Sequence, residues 1–489
     1  MSFYITTPIY YVNDKPHLGH AYTNVAADVI ARIARLQGND VSFLTGTDEH
    51  GQKVEQSAIK RGKAPQEFAN EGAELFRDLA AKLNLSHSAF IRTSSGQHKQ
   101  CASDFWDTLY RSGNIYLDKY EGWYSVRDEA FYDESELKDG LAPTGAPVEW
   151  VVEDSYFFAL SRWQDRLLEF YEANPNFILP ISRRSEVVNF VKGGLHDLSI
   201  SRTSFSWGIP VPNDPKHLMY VWLDALSSYR SGVDATVWPA DVHVIGKDIL
   251  RFHAVYWPAF LMAAGLPLPR CILAHGWWTN RGQKMSKSLG NVIDPLDLLE
   301  RFGVDYVRYY MMRDTSFGSD ANFDEELLVQ KINSEVVNKL GNLMQRTVSF
   351  FIKAFGGTVT VAPSYQEPIL SDIGERIEQV MGFFASYQLN RALEQIMAIV
   401  ESGNLYMEQM APWKLVKTDG HQAQMVLMTI LELCRCIGIL LQPFMPGCAA
   451  KLLGVLGLEG EVPFMHLGQD YALRVGMELH FDGQMFKRL

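Results

Sequence analysis

Pro16-His17-Leu18-Gly19-His20 is the stretch on which the fold turns. Residues 3–11 before it are β-branched and aromatic, as in a strand, and Asn13-Asp14-Lys15-Pro16 forms a turn. After it, Val25, Val29, Ile30 and Ile33 fall on one face of a helix expected over 18–36. Residues 41–45 read as the next strand, which ends in the polar tip Gly46-Thr47-Asp48-Glu49-His50-Gly51. Strand, helix, strand with glycine in the first turn is how a doubly wound, Rossmann-type α/β sheet begins. Free backbone N–H groups and the positive end of the helix dipole make that turn a phosphate site. Gly19 lets a nucleotide approach the backbone. His17 and His20, three apart on one helix face, reach the same phosphate. Alone, the pentapeptide equally fits two histidines making local hydrogen bonds at a helix start.

Outward from there, the pattern changes at about residue 115. Segments become short, aromatic and turn-rich, as in 120–132 and 140–147, and read as an insertion. The α/β pattern returns at 242–246, a strand ending in glycine, with a helix from Asp248 onward. The longest apolar stretch, 254–268, contains Pro258 and Pro267, is too short to span a bilayer and reads as a buried helix. The last third is helical, with apolar spacing through 332–355, 373–410 and 423–441, and a glycine- and proline-bearing linker at 356–368. The expected organisation is a first half of the α/β sheet over 1–115 and an inserted domain over 116–206. The second half of the sheet follows over 207–290, then a linking stem over 291–333 and a helical bundle with its tail over 334–489.

A second stretch carries chemistry. Lys284-Met285-Ser286-Lys287-Ser288, followed by Leu289-Gly290-Asn291, puts two lysines and two hydroxyls in a glycine-flanked loop. Such a loop wraps a triphosphate and neutralises the charge that grows on departing pyrophosphate. A solvated basic loop is the plain alternative. Together and in this order, the two stretches resemble both signature motifs of the class I aminoacyl-tRNA synthetases. Ile9-Tyr10-Tyr11, the tip with Asp48, Trp222-Leu223-Asp224-Ala225 before Tyr229, and residues 246–253 before Trp257 narrow the resemblance to the methionyl-tRNA synthetase family. It runs from Phe3 to the C-terminal segment.

The resemblance implies activation of L-methionine with ATP and Mg²⁺, then transfer to the 3′ end of tRNA(Met), initiator and elongator alike. His17, His20, Lys284 and Lys287 are the implied catalytic residues. Gly19, Gly246, Asp248, His275, Gly276, Trp277 and Lys287 would hold ATP. Ile9, Tyr11, Asp48, Trp222, Ala225, Tyr229, Ile249, Phe252, His253, Trp257 and Arg202 would hold methionine. The physical sense of that set is direct: a thioether packs against aromatic edges. Tyr11 and His253 would donate hydrogen bonds to sulfur, and Asp48 would bind the ammonium. For any one aromatic residue, core packing is the plain alternative, and for Asp48 a turn at a strand end.

Trp413, in Ala411-Pro412-Trp413 after Asn404-Leu405-Tyr406, is placed to stack on an unpaired base. It resembles the family's anticodon-reading tryptophan. Asn342 and Arg346, four apart on one helix face, match other anticodon contacts. A bundle-capping tryptophan and a surface polar pair are the plain alternatives.

Net charge of −12 excludes a whole-surface nucleic-acid footprint, so any RNA contact must be a local patch. The five cysteines lack knuckle spacing, and Ser125 and Asp128 stand where zinc-binding relatives carry cysteine. A metal-free subtype without zinc is expected. Neither a signal segment nor a membrane span is expected, and a cytoplasmic monomer is expected in keeping with the lack of a recognisable C-terminal dimerising module. The inserted region, about a hundred residues, is too short for the editing domain of synthetases for leucine, isoleucine or valine. A cysteine-specific enzyme usually needs zinc ligands at the substrate thiol, which are missing. A small nucleotidyltransferase would not need the bundle. A catalytically dead tRNA-binding paralogue would have no need of His17, His20, Lys284 and Lys287 together.

Overall fold

The computed structural model describes residues 1–128, 130–132, 134–285, 290–481 and 483–489. The first strand, β1 (Ser2–Tyr11), feeds α1 (Leu18–Leu36), which returns to β2 (Asp40–Asp48). The helix bounds are those expected from apolar spacing. His17 caps the start, and Ala21, Ala26, Ala27, Ala31 and Ala34 let the buried helix lie close against its neighbours.

Six parallel strands form the main sheet, in the order Ala89–Arg92, β2, β1, Val242–Gly246, Ile272–His275, Ile178–Leu179. Strand order reverses between β1 and Val242–Gly246. A crevice opens outside the carboxyl ends of the strands at such a reversal, and there α/β sheets bind ligands. Thus Tyr11, Asp48, Gly246 and His275, each at the end of its strand, converge.

The expected domain boundaries need correction at three points. Ile178–Leu179 lies inside the range read as an insertion, yet it pairs with Ile272 and Leu273 at the edge of the main sheet. The insertion proper is an antiparallel sheet of Ala130–Tyr132, Ile115–Ser125, Glu149–Phe158 and Leu198–Ser199. Trp278–Asn280, read with the sheet's second half, pairs instead in parallel with Ala321–Phe323 of the stem and antiparallel with Gln283–Lys284, outside the main sheet. Stem and bundle are joined by helical residues without a break, Glu325–Lys331, Ile332–Gly341 and Asn342–Phe355. Pairing partners far apart in sequence leave no local trace, so these joints escaped the reading.

The apolar spacing over 373–410 is carried by two helices, Ile373–Ala385 and Leu389–Met410, with Tyr387 at φ +55° between them. The longest apolar helix is Gly420–Leu441, not the 254–268 stretch. It is long enough to cross a membrane, but 94% of its apolar window is buried inside the protein, as in a bundle's core helix.

A fully buried ion network roots α1 in the rest of the molecule. The Asp28 carboxylate accepts from Arg308 at 2.7 Å, from Arg32 at 2.8 Å and from Ser86 at 2.6 Å. Arg308, in the stem helix Val304–Arg313, also donates to the carbonyls of Leu83, Pro443 and Phe444. Burial alone would raise the Asp28 pKa, but the two guanidinium groups and Ser86 more than reverse this and hold it below its ordinary value.

Candidate active site

A cavity of about 450 Å³ opens at the strand-order reversal. Ile9, Tyr11, Asp48, Trp222, Ala225, Tyr229, Ile249 and His253 line one part. His17, Gly19, His20, Gly246, Asp248, His275, Gly276 and Trp277 line the other. The structure therefore brings both groups of sequence-derived residues to one wall-to-wall space.

At the mouth of α1 the local hydrogen bonds and the phosphate-site geometry coexist. His17 Nδ1 accepts from the Gly19 N–H at 3.1 Å, and His20 Nδ1 accepts from the His17 N–H at 3.1 Å. The two rings stack with centroids 3.7 Å apart. Because each Nδ1 accepts, the proton of each neutral ring sits on Nε2. Burial, then the neighbouring His17, pushes the His20 pKa well below its ordinary value, so His20 is a neutral donor. A Cβ at Gly19 would press on the His17 ring at 3.0 Å, which is why glycine stands there.

On the side of Gly246 and His275, Trp277 Nε1 donates to Asp248 at 3.1 Å, and Lys247 lies 4.0 Å from the centre of the Trp277 ring. His275 Nδ1 donates to the Gly276 carbonyl at 2.7 Å, leaving Nε2 to accept from Thr23 at 2.7 Å. Gly276 meets the stem so closely that a Cβ would lie 2.1 Å from the Ser319 carbonyl oxygen. Met285 reaches the cavity. The Lys284 backbone is in a short strand, and Lys287 lies outside the described residues.

The apolar side corrects the sequence reading at several residues. Trp257 is buried and packs edge-on against Phe105 and Trp238, off the cavity wall. Phe252–Tyr256 forms a π turn, with an i→i+5 repeat, so Trp257 does not follow His253 on the same face. Phe252 stacks behind Trp222 at 3.6 Å and backs the wall rather than forming it. Arg202 is buried off the wall, donating to Ser199 Oγ and the Ser201 carbonyl and lying over the Tyr220 ring.

The expected hydrogen bonds to a thioether are also committed elsewhere. Tyr11 donates its hydroxyl to the His50 carbonyl at 2.9 Å. His253 Nδ1 faces the Ile249 carbonyl at 2.9 Å, so the proton is there, and Nε2 accepts from the Tyr229 hydroxyl at 2.6 Å. What remains for sulfur is an aromatic and aliphatic wall.

Burial pushes the His253 pKa from 6.5 down to about 4. The folded state thus binds fewer protons than the unfolded chain between these values. Stability from this group is present above pH 6.5 and lost as pH falls toward 4, by about 2 kcal/mol at pH 5. Urea unfolding at pH 7.5 and pH 5 should show a difference that shrinks by about that amount in His253→Gln. An unchanged difference would mean that His253 is not buried neutral.

The sequence reading missed Thr23, Lys53 and Asp128, all of which reach the cavity. Thr23 was legible, three residues after His20 on the same helix face. Asp128 comes from the insertion and had no local signal.

In the bundle, the Arg346 guanidinium lies 5.9 Å from the centre of the Trp413 ring. Trp413 is 36% exposed, and Asn342 is exposed one turn from Arg346. Ala411, in the left-handed region at φ +41°, turns the chain between Leu389–Met410 and the turn bearing Trp413. Arg346, Lys414 and Lys417 are all exposed. Asn404 points inward to the carbonyls of Lys339 and Val400.

Comparison with known proteins agrees with this geometry. The family described as tRNA synthetases class I (M) matches residues 3–146 and 142–348, and the anticodon binding domain of methionyl tRNA ligase matches 358–489. The methionine–tRNA ligase of Rickettsia felis is 56% identical, covering 100% of this chain and 98% of that one. That of Rhizobium meliloti is 48% identical, covering 99% and 98%. The structure of Mycobacterium tuberculosis methionyl-tRNA synthetase in complex with methionyl-adenylate is similar over the whole of both chains, with a TM-score of 0.96 at 45% identity.

Proposed function

Because the chain belongs to the methionine-specific family of class I tRNA synthetases, we propose that it activates L-methionine with ATP to methionyl-adenylate and transfers the methionyl group to tRNA(Met). The observation that carries the reading is the single cavity at the strand-order reversal. It has a histidine pair at a helix N-terminus on one side and an acid-tipped aromatic slot on the other.

In the first step the methionine carboxylate attacks the α-phosphorus of ATP in line, and pyrophosphate leaves. Asp48 takes the substrate ammonium, and Trp222, Ala225, Tyr229 and Ile249 enclose the side chain. His17 and His20 donate from Nε2 to the phosphate as its charge grows. Lys284 and Lys287 accompany the departing β- and γ-phosphates. Mg²⁺, when present with ATP, would add charge neutralisation to that of these lysines.

Hydrogen bonds at the tip of the insertion support the reading of a metal-free subtype. Asp128 accepts from the hydroxyls of Tyr132 and Thr144, its backbone N–H donates to Ser125 Oγ, and Arg127 donates to the Thr144 carbonyl. Five free cysteines support the reading of a reducing cytoplasm, and the 94% burial of the apolar window of Gly420–Leu441 within this chain supports that of a monomer.

In the second step the 3′ end of tRNA enters the cavity while Trp413, Asn342 and Arg346 read the anticodon, which initiator and elongator tRNAs share. Trp413→Ala should lower kcat/KM for tRNA charging about 10–100-fold, the worth of one stacked base, and leave methionine-dependent ATP–pyrophosphate exchange within twofold. Equal loss of both reactions would show that Trp413 is structural.

A further inference from the structure

The methionine pocket has two walls that meet at a buried carboxylate outside the cavity lining. One wall is the tip of β2 with Asp48, and the other is the helix Val221–Ser231 with Trp222 and Ala225. Between them stands Asp224, 1% exposed. Its Oδ2 accepts from His50 Nδ1 at 2.6 Å, and its Oδ1 accepts from His98 Nε2 at 2.6 Å. His50 follows Asp48 by two residues, and its carbonyl accepts the Tyr11 hydroxyl. His98, in the helix Gly96–Arg111, continues through Nδ1 to Ser231 Oγ at 2.8 Å.

The same tip is braced from its other side. The buried Glu49 carboxylate takes Arg92 at 2.6 and 2.9 Å and Thr47 at 2.7 Å, and the Glu49 N–H donates to Thr93 Oγ1 at 2.9 Å. Asp48 therefore stands between two clamped neighbours, and only the His50 clamp reaches the opposite wall of the pocket.

We propose that Asp224 is the positioning residue of the methionine pocket: by tying His50 to the helix of Trp222 and Ala225, it sets the distance between the ammonium-binding tip and the side-chain slot. The proposal rests on the methionine-activating reading above. Burial would raise the pKa of such a carboxyl, and the two histidines reverse that and hold it below its ordinary value, so it is charged at neutral pH. A charged carboxylate offers acceptors to both imidazoles at once. An amide offers one. With asparagine, the oxygen can stay on His50 while His98 moves its proton to Nδ1 and donates it to Ser231. A clamp of this kind acts on substrate geometry and not on the nucleotide, because Asp224 has no partner among the described residues lining the ATP side.

The test is methionine-dependent ATP–pyrophosphate exchange by the full chain carrying Asp224→Ala, Asp224→Asn or His50→Gln, with KM measured separately for methionine and ATP. Asp224→Ala is expected to raise KM for methionine at least tenfold and leave KM for ATP within twofold. Asp224→Asn should restore it to within about threefold of the original. His50→Gln, which leaves Asp224 paired with His98, should resemble Asp224→Ala and decides the matter if the alanine variant does not fold. Parallel rises in both KM values, or an unchanged KM for methionine in folded Asp224→Ala or His50→Gln, would overturn the proposal. The unsubstituted protein is run alongside: its failure to exchange with methionine would remove the reading underneath, whereas normal exchange with unshifted variants would remove only the role of Asp224.

Discussion

His20→Ala is expected to lower kcat for methionine-dependent ATP–pyrophosphate exchange by roughly 10²–10³, the usual cost of removing one donor aimed at developing charge. The side chain does two things at once, and their magnitudes separate them. As part of the cap of α1, it accepts one backbone N–H from His17, which contributes about 1 kcal/mol of stability. As a neutral imidazole with its proton on Nε2 at the cavity wall, it is the proposed donor to the α-phosphate. A lost cap lowers the unfolding midpoint slightly and leaves kcat per folded molecule alone. A lost transition-state donor lowers kcat with the KM for methionine unchanged. Exchange rates at saturating substrates, with thermal unfolding measured in parallel, read both. A rate within threefold of the original would mean that the histidine is only a cap.

Asp28→Ala is expected to destabilise the protein by about 3–5 kcal/mol, because it strands the Arg308 guanidinium in the interior with carbonyl partners only. Arg308 and Asp28 are both fully buried, so solvent cannot take over from the lost carboxylate. The effect also reaches function, since α1 carries Asp28 in its middle and His17 and His20 at its start. The network thereby fixes the helix that presents the phosphate donors to the stem and to the end of Gly420–Leu441. Urea unfolding measures it. A loss below about 1 kcal/mol would mean that water or a neighbouring carboxylate replaces Asp28.

What the sequence made legible follows from the range of each signal. α1 and the parallel start of the sheet were readable because apolar spacing and a glycine-bearing turn are local. The two phosphate-handling stretches were readable because each is a short run of unusual chemistry. The orientation of Trp257, Phe252 and Arg202 was not. A resemblance puts a residue in a neighbourhood, and a π turn or a stack on Trp222 decides which way it faces. The committed hydrogens of Tyr11 and His253 were hidden for the same reason, since their acceptors, the carbonyls of His50 and Ile249, are backbone atoms. The return of Ile178–Leu179 to the main sheet depends on partners almost a hundred residues away. Asp224 was visible as part of a tetrapeptide, but its two histidines come from 126 and 174 residues earlier in the chain.

The most direct test of the central claim is ATP–pyrophosphate exchange by the purified chain, without tRNA, against a panel of amino acids. The structure predicts exchange with methionine and none with leucine, isoleucine, valine or cysteine. Exchange with a different amino acid would keep the chemistry of His17 and His20 and contradict the assignment of the slot between Asp48 and Trp222. Exchange with none of them would contradict the account of the cavity as a site of amino-acid activation.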